Sequence, residues 1–223
     1  MRSYDELFAL AAARKGGADA LEAMLPRPAS PETLAALGDD RWLSMLTRCV
    51  FNAGFNWKVI EAKWSGFEAA FDGFDPGRWS MMSDDDLDRL LADTRIVRHG
   101  AKIASVRDNA ALLRSLAKEH GSAAAAFARW PSTDHVGLLE LLKRRGSRLG
   151  GTTGQYFLRF MDKDSFLSSR DVAAALVREG VVDKPPSSKR EMAAVQAAFN
   201  AWMAESGRGL TQISRTLAFS VGS

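Results

Sequence analysis

A chain of 223 residues that is 46% hydrophobic and 26% charged, with a single cysteine, has enough apolar mass for one or two cores, which excludes a disordered tail and a disulfide-stapled miniprotein. Cys49 alone cannot form an intrachain disulfide or a thiolate-rich zinc or iron–sulfur centre, so a reducing compartment fits best. The net charge of +3 is uneven: residues 141–223 carry 13 Lys/Arg against 7 Asp/Glu, and residues 1–140 carry 17 against 20.

Apolar spacings of three and four recur along nearly the whole chain, with almost no strand-like alternation, so the expected class is all-α. Residues 1–14 lack a continuous signal-type apolar core. The longest apolar runs, such as Ala123 to Ala128, fall far short of the ~20 residues that span a bilayer, so a cytoplasmic, non-membrane protein is expected. Glycine and proline break the chain at Gly16-Gly17 and between Pro26 and Pro28; Ser30 before Pro31 reads as an N-cap followed by a first-turn proline. From Leu46 to Trp64 a helix is expected, broken at Ala53-Gly54 and resumed behind Asn56. Ser83 followed by Asp84, Asp85 and Asp86 marks another helix start, and Ile103, Val106, Ala110 and Leu113 form an apolar stripe. Beyond Pro185-Pro186, a stripe of Met192, Val195, Phe199 and Trp202 ends near Gly207. This last amphipathic pair must bury its stripes, and is expected to pack back on the first segment so that both termini build one lobe.

Two stretches can carry chemistry. In the first, Lys143, Arg144, Arg145 and Arg148 lead into Leu149-Gly150-Gly151-Thr152-Thr153-Gly154 and then into apolar Tyr156, Phe157, Leu158 and Phe160, two helices around a tight glycine turn. Glycines let the backbone approach a phosphate, amides at the second helix start point outward, and Thr152 or Thr153 adds a hydroxyl; such a hairpin grips a strand regardless of base sequence. A plain helix–helix turn with a solvated basic end is the competing reading. In the second stretch, Asn52 and Phe55 stand at the helix break, where they can fill a gap in a base stack, while Trp57 offers a flat face to an extruded base. Taken singly, each of Trp42, Trp57 and Trp64 reads more readily as a packing residue than as a base platform.

Asn52-Ala53-Gly54-Phe55-Asn56-Trp57, then Phe74-Asp75-Pro76, Asp93 with Ile96-Val97-Arg98-His99 and Lys102-Ile103, and finally Gly151-Thr152-Thr153 resemble the DNA-3-methyladenine glycosylase I family of helix-hairpin-helix glycosylases, from about Leu46 to Val172. The resemblance implies one two-lobed helical glycosylase-like unit over 1–223, with one lobe of about 1–40 plus 168–223 and a hairpin-containing lobe of about 41–167. It implies a monofunctional enzyme that hydrolyses the N-glycosidic bond of an alkylated purine in double-stranded DNA, nucleoid-associated in a bacterial-type cytoplasm, with no obligate protein partner; a catalytically degenerate lesion-binding protein is the alternative. Trp57, Cys49 and Trp42 are then expected in the base pocket and Asn52 and Phe55 in the DNA gap. Arg148, Leu149, Gly150, Gly151, Thr152, Thr153, Gly154 and Lys102 are expected on the DNA backbone.

The chain also departs from the family pattern. The pocket glutamate position is Cys49, a poor acceptor for the amino group of a cationic adenine, and Asn52, Phe55 and Asn56 replace the usual glutamine and Leu-Ser. The family's zinc clasp has lost its ligands: no cysteine precedes Cys49, and Asp171 and Ala175 stand where histidine and cysteine are expected, so neither metal nor cofactor is expected. The aspartate that many such glycosylases place after the hairpin is Ser169 here, which leaves Asp171 as the catalytic candidate, against an ordinary helix N-terminal charge. Asp162 and Asp164 are expected in solvent-facing connections.

Overall fold

A computed structural model describes residues 1–221 and shows an all-α chain, with fifteen α-helices, two short 3₁₀ turns and no strand among the described residues. The start signals act as expected. Ser30 Oγ accepts from the Thr33 amide with Pro31 at the first helical position, and Ser83 and Asp86 form a reciprocal capping box. Ile103, Val106, Ala110 and Leu113 are buried, and Gly207 closes the helix Lys189–Ser206 in the left-handed conformation. No helix of the described residues is long and apolar enough to cross a membrane.

The chain divides into two compact units whose boundaries differ from the expected lobes. The first comprises Met1–Ala29, Pro131–Leu138 and the chain from Asp162 onward; the second comprises Ser30–Trp130 and Leu139–Met161. Residues 30–40 belong to the second unit because Pro31–Ala35 packs on the helix Ala123–Arg129, whose Ala123 and Ala124 amides donate to the Asp39 carboxylate at 3.0 and 2.9 Å. Residues 162–167 belong to the first because Asp164 caps the helix Leu210–Ser220, accepting from the Leu210 and Thr211 amides at 3.0 and 2.9 Å, and because Phe166 stacks on Phe199 at 4.5 Å. Asp164 is therefore a helix cap and not a solvated connection.

In the first unit, Tyr4–Lys15 packs along Leu210–Ser220, burying Tyr4, Leu7, Ile213 and Leu217. Polar ties supplement the apolar packing expected from the sequence. The Tyr4 hydroxyl lies 3.1 Å from Thr216 Oγ1, Trp202 Nε1 donates to the Arg2 carbonyl at 3.0 Å, and the buried Glu179 carboxylate takes both Arg2 and Arg178. The residues at the clasp positions do not fit a zinc site: Ala175 is fully buried and apolar, and no three His, Cys, Asp or Glu side chains converge among the described residues.

The second unit is built around the 21-residue helix Gly100–His120, which packs on Asp39–Asn52. Trp42, fully buried, stacks on Phe127 at 4.8 Å and meets Phe157 edge-on at 5.7 Å, which makes it a core residue and not a pocket wall. Glu68 ties Asp39–Asn52 to Trp64–Ala70. Burial raises its pKa, but hydrogen bonds from Arg41, Ser44 and Trp64 outweigh that and leave it below the free value of 4.5. A lowered folded pKa gives stability that is present above the unfolded value and lost as pH falls through the folded one. The stability advantage of the wild type over Glu68→Gln is therefore expected at neutral pH and should shrink below pH 4.5 in urea titrations; an advantage independent of pH would contradict the charge assignment.

Candidate functional site

The expected interruption of the Leu46–Trp64 helix is present. Asp39–Asn52 ends, Gly54 takes φ 79°, and the helix Trp57–Ala62 restarts with Asn56 Oδ1 accepting from the Lys58 amide at 3.0 Å. The break is held from beneath by Lys102. This lysine is only 6% exposed, and its ammonium donates to the carbonyls of Val50 at 2.8 Å, Phe51 at 3.2 Å and Ala53. Lys102 is thus the C-terminal cation of a helix, and the expectation that it contacts a phosphate is corrected: three backbone carbonyls, those of Val50 and Phe51 buried, already occupy its donors. The ammonium also lies 4.5 Å from the centre of the Phe55 ring, which His99 meets edge-on at 6.0 Å, so Phe55, 36% exposed, is propped at the tip of the loop. His99 stands at the N-cap of Gly100–His120, and its side chain makes no capping bond.

Beside this loop lies a cavity of about 230 Å³. One wall is Cys49, Asn52, Ala53 and Gly54; the other comes from Thr152, Thr153, Tyr156 and Phe160 of the hairpin's second helix; Trp57 stands between them. Trp57 is 43% exposed and meets Tyr156 at 5.3 Å and Phe160 at 5.5 Å, both edge-on, giving three rings around one opening. The spacing 152, 156, 160 sets Thr152, Tyr156 and Phe160 on one helix face, a pattern visible in the sequence that by itself reads only as a helix. The Cys49 thiol is buried and its pKa is pushed up to about 12 by that burial, so it lines the cavity as a neutral group. Among the described residues no carboxylate lines this cavity.

The glycine turn is pinned to the long helix. The Asn109 carboxamide donates to the Ser147 carbonyl at 3.1 Å and accepts from the Ser147 amide at 2.8 Å, and Arg148 Nε donates to the Ala101 carbonyl at 3.1 Å. These bonds hold Arg148 at φ 62°, a conformation that costs a non-glycine residue about 1 kcal/mol. Arg145 pairs with Glu119 at 2.6 Å and holds that carboxyl down at about 2, so it braces the hairpin and is not a free phosphate ligand. Lys143, Arg144, Arg148, Gly150, Gly151 and Thr152 are exposed, and no side chain caps the helix Thr152–Phe160, which leaves its first amides for a ligand. Leu149 and Gly154 are buried, so they shape the turn: a Cβ at Gly154 would sit 2.7 Å from the Leu149 carbonyl.

The structure therefore brings together Trp57, Cys49, Thr152 and Thr153, and it moves Asn52. Expected at an exposed turn, Asn52 is 7% exposed and lines the cavity, because the helix runs on to that residue. Asp171 lies in the first turn of Arg170–Arg178 in the first unit, capped by Ser169 Oγ, and is not among the lining residues. Its position is that of a helix N-terminal charge.

Comparison with known proteins places these features together. The family profile described as methyladenine glycosylase matches residues 34–158, which hold the broken helix, the glycine turn and the lining residues of the cavity other than Phe160. The DNA-3-methyladenine glycosylase 1 of Escherichia coli (strain K12) is 27% identical across 45% of this chain, a match that spans only 64% of that relative's length. Among solved structures, 3-methyladenine DNA glycosylase I from Staphylococcus aureus has a TM-score of 0.50 at 22% identity, over 60% of this chain and 78% of its own. A mutant of the S. aureus enzyme gives 0.51 at 21% identity, over 68% and 86%. At these identities the structural likeness speaks for the fold.

Proposed function

Starting from the premise that the chain belongs to the methyladenine glycosylase family, we propose that it is a monofunctional DNA glycosylase that releases an alkylated purine from double-stranded DNA. The observation that carries this reading is adjacency: Thr152 and Thr153 line the aromatic cavity and also begin the helix whose uncapped amides face solvent. A strand gripped at that helix start has its neighbouring nucleotide at the mouth of the cavity.

The roles follow from the geometry. Lys143, Arg144 and the amides after Gly151 hold the phosphates. Phe55 enters the gap, and the extruded base stands among Trp57, Tyr156 and Phe160. The ring faces favour a cationic base over a neutral one, which is selection by binding. In the chemical step the bond from C1′ to the base nitrogen breaks with its electron pair going to the base, which neutralises the alkylated ring. Water adds at C1′ and gives up a proton. A base that is already cationic leaves without being protonated, consistent with a cavity that no carboxylate or lysine lines among the described residues. The neutral Cys49 thiol also favours a second reading, a protein that binds lesions without excising them.

Mass-spectrometric identification of free bases released from methylated duplex, with and without chelator, separates the two. Release unaffected by chelator is expected, and binding without release would leave the second reading. Charge reversal of exposed Lys143 and Arg144 should weaken binding to all duplexes alike. In anisotropy titrations the log–log salt slope should fall by about 0.9 for each phosphate that is no longer neutralised. A weakening confined to one lesion would contradict their role.

A further inference from the structure

Asn52 carries an observation that the glycosylase reading does not use. Its side chain is nine-tenths buried, it lines the 230 Å³ cavity, and its Oδ1 accepts no hydrogen bond. A buried amide oxygen without a partner is costly, and such a group persists where something other than the protein completes it. Asn52 also borders a second cavity, of about 350 Å³, which shares Trp57 and Phe160 with the first. The charges lining that second space, Arg48 and Glu61, are paired with each other. Among the described residues lining the two cavities, the buried side-chain polar atom without a partner is therefore Asn52 Oδ1, whereas the hydroxyls of Thr152, Thr153 and Tyr156 belong to less buried residues and the Cys49 thiol is a weak acceptor.

We infer that Asn52 is the specificity-determining residue of the base pocket, its Oδ1 accepting a hydrogen bond from the exocyclic amine of the extruded purine. The inference rests on the base-binding reading above and adds the group that reads the base edge. A neutral acceptor pairs with an amine whether the ring is charged or not, so charge is sensed by the rings of Trp57, Tyr156 and Phe160 and amine identity by Asn52. Two functions that one carboxylate would combine are divided between separate side chains.

The test uses the full chain and two free bases, 3-methyladenine and 3-methylpurine, which lacks the amine, titrated calorimetrically into wild type, Asn52→Leu, Asn52→Asp and Trp57→Ala, each checked for native circular dichroism. Wild type should bind the amine-bearing base about tenfold or more tightly. Asn52→Leu should abolish that preference by weakening the amine-bearing base more than 3-methylpurine, Asn52→Asp should retain it, and Trp57→Ala should weaken both bases alike. Equal weakening of both bases in Asn52→Leu, or no change, would overturn the inference. Base release from methylated DNA, measured in parallel, separates this result from the broader one. Asn52-dependent binding without release supports the pocket assignment and removes the enzyme. Release that is indifferent to Asn52→Leu keeps the enzyme and removes the inference, and neither binding nor release removes both.

Discussion

Trp57→Ala is expected to lower kcat/KM for release of a methylated purine about 100-fold while leaving duplex affinity within a factor of two. The ring is the shared wall of the cavity, held edge-on by Tyr156 and Phe160, and its truncation opens the space in which the base is stacked. Base–aromatic stacking is worth about 1–3 kcal/mol and a cationic base adds roughly 1 kcal/mol more, so a combined loss near 3 kcal/mol converts to about two orders of magnitude. Stability should fall little, because the indole is already 43% exposed. Duplex affinity is set at Arg144 and the uncapped helix start, residues the substitution does not touch. Trp57→Phe should restore part of the rate by returning a flat, smaller face. Single-turnover release and anisotropy on the same preparations decide the matter; unchanged turnover would move the base elsewhere.

Much of this site was legible in the sequence because it is made of local signals. Gly54 and Asn56 punctuate a helix wherever they occur, and the basic run before Gly150-Gly151 marks a turn between two helices. Trp57 was legible for the same reason, as an aromatic residue just behind a helix restart. What the sequence did not show depends on which face of a helix a residue occupies. Trp42 and Trp57 are the same residue type fifteen positions apart, yet one is locked between Phe127 and Phe157 and the other faces an opening, a difference set by partners remote in sequence. Asn52 was displaced from loop to pocket because the helix continued to its own position before breaking. Boundaries of that kind depend on tertiary contacts, here the grip of Lys102 on the last carbonyls. Tyr156 and Phe160 follow Thr152 at four and eight residues, but an apolar helix face reads as core until its partner is known.

Lys102→Met is expected to harm the fold severely, lowering the unfolding free energy by about 2–4 kcal/mol. Methionine keeps most of the apolar stem but removes the ammonium, and the carbonyls of Val50, Phe51 and Ala53 then lose a shared donor in a place from which water is largely excluded. The helix Asp39–Asn52 would also lose the cation at its negative end. The pH dependence has a definite sign. Burial, and then the charge of Arg148, lower the Lys102 pKa below the free value of 10.5, so the unfolded chain binds this proton more readily than the folded one. Wild type should therefore gain on Lys102→Met as pH climbs from the folded pKa toward 10.5. The functional consequence is separable from the loss of stability. With its carbonyls unpinned and Phe55 deprived of the cation under its ring, the loop from Ala53 to Phe55 should no longer be held beside the cavity, and base release should fall even at temperatures where the variant is fully folded. Urea midpoints across pH, read together with release rates at 25 °C, check both halves. A variant as stable as wild type would show that the three carbonyls find other donors and that Lys102 does not hold the break.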